Sequence, residues 1–187
     1  MPGLRVIAGT VKGRRLKLVP GDGTRPIMDR VKESLFNIIG PGIRQATFLD
    51  LFGGTGSVGI EALSRGAATA SFIDSSKAAL QTIRANLEAT GFSKQATINR
   101  ADALAYLKAE PQTSFDYIYI APPQYLGLWI KVLMLLDAQP EWINPDGWAI
   151  VQIDPKEYAE QTLEHLSLVD QRKYGSSLLC FYERPGN

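Results

Sequence analysis

A single cysteine and a single histidine among 187 residues already close several chemistries to this chain. Cys180 alone can form neither a disulfide framework nor a cysteine metal cluster. It lies in the apolar run Leu178-Leu179-Cys180-Phe181-Tyr182, which is the setting of a buried strand residue. His165 alone argues against a histidine-rich zinc centre, so no metal is expected, and it reads as a surface or helix-end residue. No apolar run approaches the roughly 20 residues of a membrane-crossing helix, so no membrane partner is expected. The first ten residues lack the apolar core of a signal peptide, and a reducing cytoplasm is the expected compartment. Repeats, low-complexity tracts and long linkers are absent as well. Hydrophobic residues make up 45% and charged residues 21%, ordinary values for a globular protein. The length suits one α/β domain with a small appendage, and a monomer is the default expectation.

The net charge of +1 conceals an asymmetry. Residues 1–45 carry nine basic side chains (Arg5, Lys12, Arg14, Arg15, Lys17, Arg25, Arg30, Lys32, Arg44) against Asp22, Asp29 and Glu33, a net +6 that leaves −5 for the rest. A basic segment on an acidic body suits a polyanionic partner, and a solvated hairpin with no partner is the alternative. Arg5–Ala8 and Arg14–Val19 flank a Gly9–Gly13 turn and read as a short β-hairpin. Asp29–Ile39 then carries Val31, Leu35, Ile38 and Ile39 at helical spacing and is stopped by Gly40-Pro41.

Beyond residue 45, short apolar runs alternate with helical periodicity, the pattern of a mostly parallel sheet with crossover helices. Strands are expected at Thr47–Leu51, Ala70–Ile73, Thr97–Arg100, Asp116–Ile120, Trp148–Ile153, Leu168–Lys173 and Ser177–Glu183. Helices are expected at Val58–Arg65, Lys77–Thr90, Leu104–Lys108, Gly127–Leu136 and Glu157–Leu166. Only Tyr174-Gly175-Ser176 joins the last two strands, too short for a parallel crossover, so that pair must be antiparallel. The fold class is therefore α/β, a Rossmann-like seven-stranded methyltransferase sheet with its last strand antiparallel. Residues 1–45 form the N-terminal extension and 46–187 the main domain.

The first of these strands runs into Phe52-Gly53-Gly54-Thr55-Gly56-Ser57-Val58-Gly59 and then a helix. Glycines there permit a tight turn and close approach of a ligand to the backbone. Such a loop fits a dinucleotide as well as S-adenosylmethionine. Asp50, just ahead of the glycines, favours S-adenosylmethionine: it would repel a pyrophosphate but suits a cationic amino-acid moiety. The chain is also short for a second, substrate-binding domain, so a nicotinamide or flavin enzyme is the lesser alternative. Asp74 ends the next strand, where a carboxylate can accept from ribose hydroxyls. Asp102 follows the third strand and either contacts the adenine amino group or caps the next helix. Phe52, Gly53, Gly54 and Gly56, with Ser75 beside Asp74 and Ala103 beside Asp102, complete the expected cofactor site.

Several separated segments together resemble the RsmD family of small-subunit rRNA guanine-N2 methyltransferases. Arg5-Val6-Ile7-Ala8-Gly9 with Lys12-Gly13-Arg14-Arg15-Leu16 is similar to the family's hairpin. Thr24-Arg25-Pro26 and Asp29–Asn37 are similar to its lead-in helix. Asp50–Ser57 with Glu61–Ala67 resembles its cofactor loop and helix, and Tyr174-Gly175 its last turn. The resemblance implies S-adenosylmethionine as methyl donor and the exocyclic N2 of a guanine in 16S rRNA, or in its assembling particle, as acceptor. It also implies an N-terminal segment that grips RNA phosphates, with Lys12, Arg14 and Arg15 foremost, then Arg5, Arg30 and Arg25. The target base must leave its stack, so a pocket beside the fourth strand is expected.

At the site of chemistry the chain departs from the family pattern. Where the family has Asp or Asn, Pro, Pro, then Tyr or Phe, this sequence reads Ala121-Pro122-Pro123-Gln124-Tyr125. An exocyclic amine has its lone pair delocalised into the ring, and hydrogen-bond acceptors are needed to draw that pair towards the methyl group. Ala121 has no side-chain acceptor, which leaves the Pro122 carbonyl and the Gln124 amide oxygen. Tyr125 is one position late for stacking on the base, and Trp129, at helical spacing with Val132, Leu133 and Leu136, reads as core. Asp154 and Glu157 read as solvated helix-start charges without function. An RNA-binding assembly protein with impaired catalysis and an adenine-N6 methyltransferase are the alternatives.

Overall fold

The computed structural model describes residues 3–21 and 26–186. Seven strands form a mixed sheet flanked by helices, and the chain divides into two compact units, residues 1–102 and 103–187.

The first unit contains α1 (Asp29–Ile39), β1 (Thr47–Asp50), α2 (Ser57–Ser64), β2 (Thr69–Asp74), α3 (Lys77–Thr90) and β3 (Ala96–Arg100). Its strands are parallel in the order β3-β2-β1, with Asp50 opposite Phe72 and Asp74 opposite Arg100. Parallel strands bury both faces, so β1 and β2 need near-continuous apolar runs. Phe48, Leu49, Phe72 and Ile73 are fully buried accordingly. The predicted stripe Leu80, Ile83 and Leu87 faces inward from α3, whose start is capped by Ser76 and whose end is turned by Gly91 at φ 81°. α2 approaches the sheet so closely that a Cβ on Gly59 would lie 2.3 Å from the Phe72 ring, so only glycine fits.

The second unit contains α4 (Ala103–Lys108), β4 (Phe115–Ile120), α5 (Leu128–Ala138), β5 (Ile143–Ile153), β6 (Ser167–Tyr174) and β7 (Ser177–Glu183). Its strands follow the order β4-β5-β7-β6. β4 and β5 are parallel, and β7 is antiparallel to both β5 and β6, as the short last turn demanded. Cys180 is buried in β7. Among the described residues no helix is long and apolar enough to cross a membrane.

Among the described residues one expected element is shortened and another is absent. The hairpin forms, with Val6 N–H donating to the Arg14 carbonyl, Gly13 N–H to the Val6 carbonyl and Leu16 N–H to the Leu4 carbonyl. Its strands Arg5–Ala8 and Arg14–Val19 nevertheless shrink to one antiparallel bridge, Arg5 with Arg15. The reason is that amides of residues 7, 8, 10 and 11 turn outward from the hairpin to α2, as described below. The helix expected at Glu157–Leu166 is replaced by a single 3₁₀ turn, Pro155–Glu157, and an irregular segment. There the amides of Glu164, His165 and Leu166 all donate to the buried Asp137 carboxylate of α5, at 2.8–2.9 Å, instead of to helical carbonyls. His165 is exposed, as a surface residue, but lies in this irregular segment and not at a helix end; its Nδ1 lies 2.8 Å from the Asp137 carbonyl oxygen.

Candidate active site

The glycine turn is built between the ends of β1 and β2. Gly53 N–H donates to the Ile73 carbonyl at 2.8 Å, and Gly54 N–H donates to Asp74 Oδ2 at 2.9 Å. Gly54 and Gly56 take left-handed backbone (φ 56° and 80°), which carries the chain from strand to helix within a few residues. The other Asp74 oxygen accepts from Ser76 N–H at 2.8 Å. A carboxylate offers about four lone pairs, so Asp74 keeps capacity for ribose hydroxyls. Ala101 N–H donates to the Asp74 carbonyl oxygen, which brings the Asp102 backbone to the same strand edge. Asp102 and Ser75 are exposed, Phe52 is half-buried, and Ala103 is buried where α4 begins.

Asp50 is the unusual member of this group. It is 1% exposed, its Oδ2 accepts from Gly59 N–H at 3.2 Å, and its Oδ1 is buried without a partner among the described residues. Burial pushes its carboxyl well above the usual carboxylate range; the Gly59 amide opposes this and the Asp74 charge adds to it. An orphaned carboxyl oxygen behind a glycine turn can accept from the ammonium of an amino-acid moiety and offers nothing to a pyrophosphate. The residues present thus suit S-adenosylmethionine.

The N-terminal segment is locked to this turn through a polar network that sequence reading missed. Glu61 of α2, fully buried, accepts from Ile7 N–H (2.8 Å) and Ala8 N–H (3.0 Å) and pairs with Arg65 (2.8 Å) and Lys32 (3.4 Å). Lys32, also fully buried, donates to the Arg5 carbonyl and to Ser57 Oγ at the first residue of α2. Burial draws its ammonium down from the ordinary value, with Glu61 opposing. Every member of this cluster is satisfied, the condition under which buried charges are tolerable. Asn86 of α3 binds the Lys17 backbone through both side-chain ends and donates to the Thr55 carbonyl in the glycine turn. A Cβ on Gly9 would lie 1.9 Å from the Ser64 carbonyl oxygen, so the segment sits directly against α2. The available signals were Glu61 amid Val58–Leu63 and Asn86 between Ile83 and Leu87, polar residues on apolar faces.

This network removes Lys32 from the basic surface. Lys12, Arg14, Arg15 and Arg30 are exposed, Arg14 also donating to the Ala89 carbonyl at 2.6 Å. Arg5 pairs with Asp29 at 3.1 Å. Arg25 lies outside the described residues.

In the second unit, β4 ends at Ile120 and runs into Ala121 and Pro122, both half-buried, then Pro123, Gln124 and Tyr125, all exposed. Tyr125 is 62% exposed with left-handed backbone, φ 63°. Its N–H donates to Glu157 Oε1 at 2.7 Å and its hydroxyl to Asp154 Oδ2 at 2.6 Å. The Tyr125 hydroxyl and the Lys156 amide hold the Asp154 carboxyl below the usual carboxylate range. Asp154 does cap a helix start, that of the single 3₁₀ turn Pro155–Glu157, but both it and Glu157 are also engaged with Tyr125, which the sequence reading did not anticipate. Trp129 is 1% exposed and stacks on Tyr158, which places it in the core.

A seven-stranded mixed sheet with this glycine turn and its acidic partners is the fold of the S-adenosylmethionine-dependent methyltransferases. The model of the family described as "Conserved hypothetical protein 95" matches residues 4–183. Ribosomal RNA small subunit methyltransferase D of Haemophilus influenzae is 34% identical over 174 residues, 92% of this chain and 89% of the relative. The Bacillus subtilis protein YlbH, provisionally named an rRNA methyltransferase, is 37% identical over 185 residues, 98% of this chain and 100% of its own. The solved structure of yhhF from Escherichia coli, provisionally named a methyltransferase, superposes with a TM-score of 0.88 at 31% identity, covering 100% of both chains. The chain belongs to this family, the RsmD family of methyltransferases.

Proposed function

We propose that the protein methylates the exocyclic N2 amine of a guanine in 16S rRNA, or in its assembling particle, and that it works as a cytoplasmic monomer. The observation that carries the reading is the Asp50–Gly54–Asp74 turn, an amino-acid and ribose cradle, in a chain whose relatives bear rRNA methyltransferase names. S-adenosylmethionine held in this cradle would supply an electrophilic sulfonium methyl group for the amine nitrogen. Asp50 holds the amino-acid end, with Phe52, Gly53 and Gly56 framing the turn. Asp74 and Ser75 hold the ribose, and Asp102 and Ala103 the adenine. The Pro122 carbonyl and Gln124 amide accept the amine hydrogens in place of the absent Ala121 acceptor, Pro123 stiffens the turn, and Tyr125 stacks on the base. Residues 1–45 form the RNA-contacting extension, with Lys12, Arg14 and Arg15 on phosphates and Arg5, Arg25 and Arg30 flanking them; residues 46–187 carry the chemistry.

Ala121 favours one second reading, an RNA-binding assembly protein that has lost turnover. The test is methyl transfer from labelled S-adenosylmethionine to unmodified small-subunit RNA and particles, with the nucleoside identified by mass. N2-methylguanosine supports the proposal, and N6-methyladenosine replaces it with the adenine alternative. Cofactor binding without transfer to either substrate selects the second reading.

A further inference from the structure

We infer that Asp154 and Glu157 are positioning residues that clamp the Tyr125 ring in the orientation needed to stack on the extruded base. The inference rests on the methyl-transfer reading above.

An exposed tyrosine at a loop tip ordinarily samples several rotamers. Tyr125 is held at both ends instead: Glu157 fixes its backbone N–H at 2.7 Å and Asp154 fixes its hydroxyl at 2.6 Å. Anchoring the amide and the phenol tip together restricts both side-chain torsions, so the ring plane is set before RNA arrives. Its left-handed φ of 63°, unusual outside glycine, is the conformation this double attachment maintains.

The anchor is itself rigid. Asp154 Oδ1 accepts from Lys156 N–H at 2.9 Å, Glu157 N–H donates to the Asp154 carbonyl at 2.9 Å, and Pro155 restricts the turn between them. The preceding Ile153 is paired with Leu178 of β7, and the following Tyr158 stacks on Trp129 at 6.1 Å and 17°. Glu157 also leaves its Oε2 buried with no partner among the described residues, a cost in stability that a purely structural turn would not retain. The clamp gives the displaced aromatic a fixed stacking face, the preorganisation that lowers the ordering cost of binding.

The experiment compares wild type with Asp154→Ala, Asp154→Asn, Tyr125→Phe and the double variant Asp154→Ala/Tyr125→Phe. The readouts are methyl transfer and the fluorine spectrum of protein carrying 3-fluorotyrosine. The Tyr125 resonance is the one missing from Tyr125→Phe. Asp154→Ala is expected to narrow that resonance and to lower kcat/KM for RNA about tenfold, with S-adenosylhomocysteine affinity unchanged. Asp154→Asn, which keeps an acceptor oxygen, restores most of the activity. The double variant is no slower than either single one, because both remove the same contact. A wild-type rate in Asp154→Ala, an unchanged resonance, or additive losses would overturn the clamp. Wild type that transfers no methyl group would instead overturn the functional reading on which the clamp rests.

Discussion

Asp50 places a carboxyl in the interior where one oxygen accepts from Gly59 N–H and the other is buried without a partner among the described residues, and burial raises that carboxyl well above the usual range. A raised folded-state pKa contributes stability below the unfolded value near 3.8, and that contribution is lost as pH rises through the folded value. At neutral pH Asp50 therefore opposes folding. Asp50→Asn keeps an acceptor for Gly59 N–H and removes the charge, so it should raise the melting temperature while weakening S-adenosylmethionine binding. The loss is about tenfold to a hundredfold, the ~1.5–3 kcal/mol of a hydrogen bond to a charged group. Calorimetric titration and thermal melts of the same variant read both effects, and a drop in both quantities would remove Asp50 from the cofactor site. Ala121 is the converse case, a missing acceptor. Ala121→Asn supplies one and should raise kcat about tenfold, from ~1–2 kcal/mol in the transition state, in the RNA methylation assay.

At the scale of elements, the sequence was most legible where an element's own periodicity decides its burial. α1 and α3 have the limits expected, and each of the seven strands overlaps its apolar run, with β5 starting earlier, at Ile143 and not at Trp148. It failed at 157–166, where the backbone donors are claimed by a side chain on another element. No local signal announces that Asp137 of α5 will collect three amides. Burial raises the Asp137 carboxyl, but those three amides outweigh it and hold it below the usual range. Its stabilisation is thus present above the unfolded value of 3.8 and lost as pH falls through the lower folded value. Asp137→Ala orphans the three donors and should cost about 2–4 kcal/mol at pH 7. Urea denaturation at pH 7 and pH 3 measures this, with the gap between wild type and variant shrinking at the lower pH.

For the whole molecule, the basic surplus of the first 45 residues is smaller at the surface than in the sequence. Lys32 is consumed by Glu61, and Arg5 is paired with Asp29. The remaining exposed cations, Lys12 and Arg15 among them, predict a salt-dependent, sequence-independent grip on RNA. Lys12→Ala and Arg15→Ala should each weaken RNA binding uniformly and reduce the slope of log K against log salt by about 0.7–0.9. Filter binding from low to moderate salt measures this, and an unchanged slope would take that residue off the phosphate surface.

What the sequence determined by itself was the order of elements, the α/β class and the glycine turn, because these follow from local periodicity and the conformations glycine permits. The antiparallel last pair was equally determined, since a connection of three residues admits no other arrangement. Tertiary structure alone decided which charges are spent internally and which segment stays irregular. Lys32 and Glu61 meet across the sequence, Asn86 joins Lys17 to the glycine turn, and Asp154 with Glu157 holds Tyr125. These contacts join residues 29 to 69 positions apart: a hydrogen bond satisfied by a distant partner changes what a residue is worth without altering the local pattern that a sequence displays.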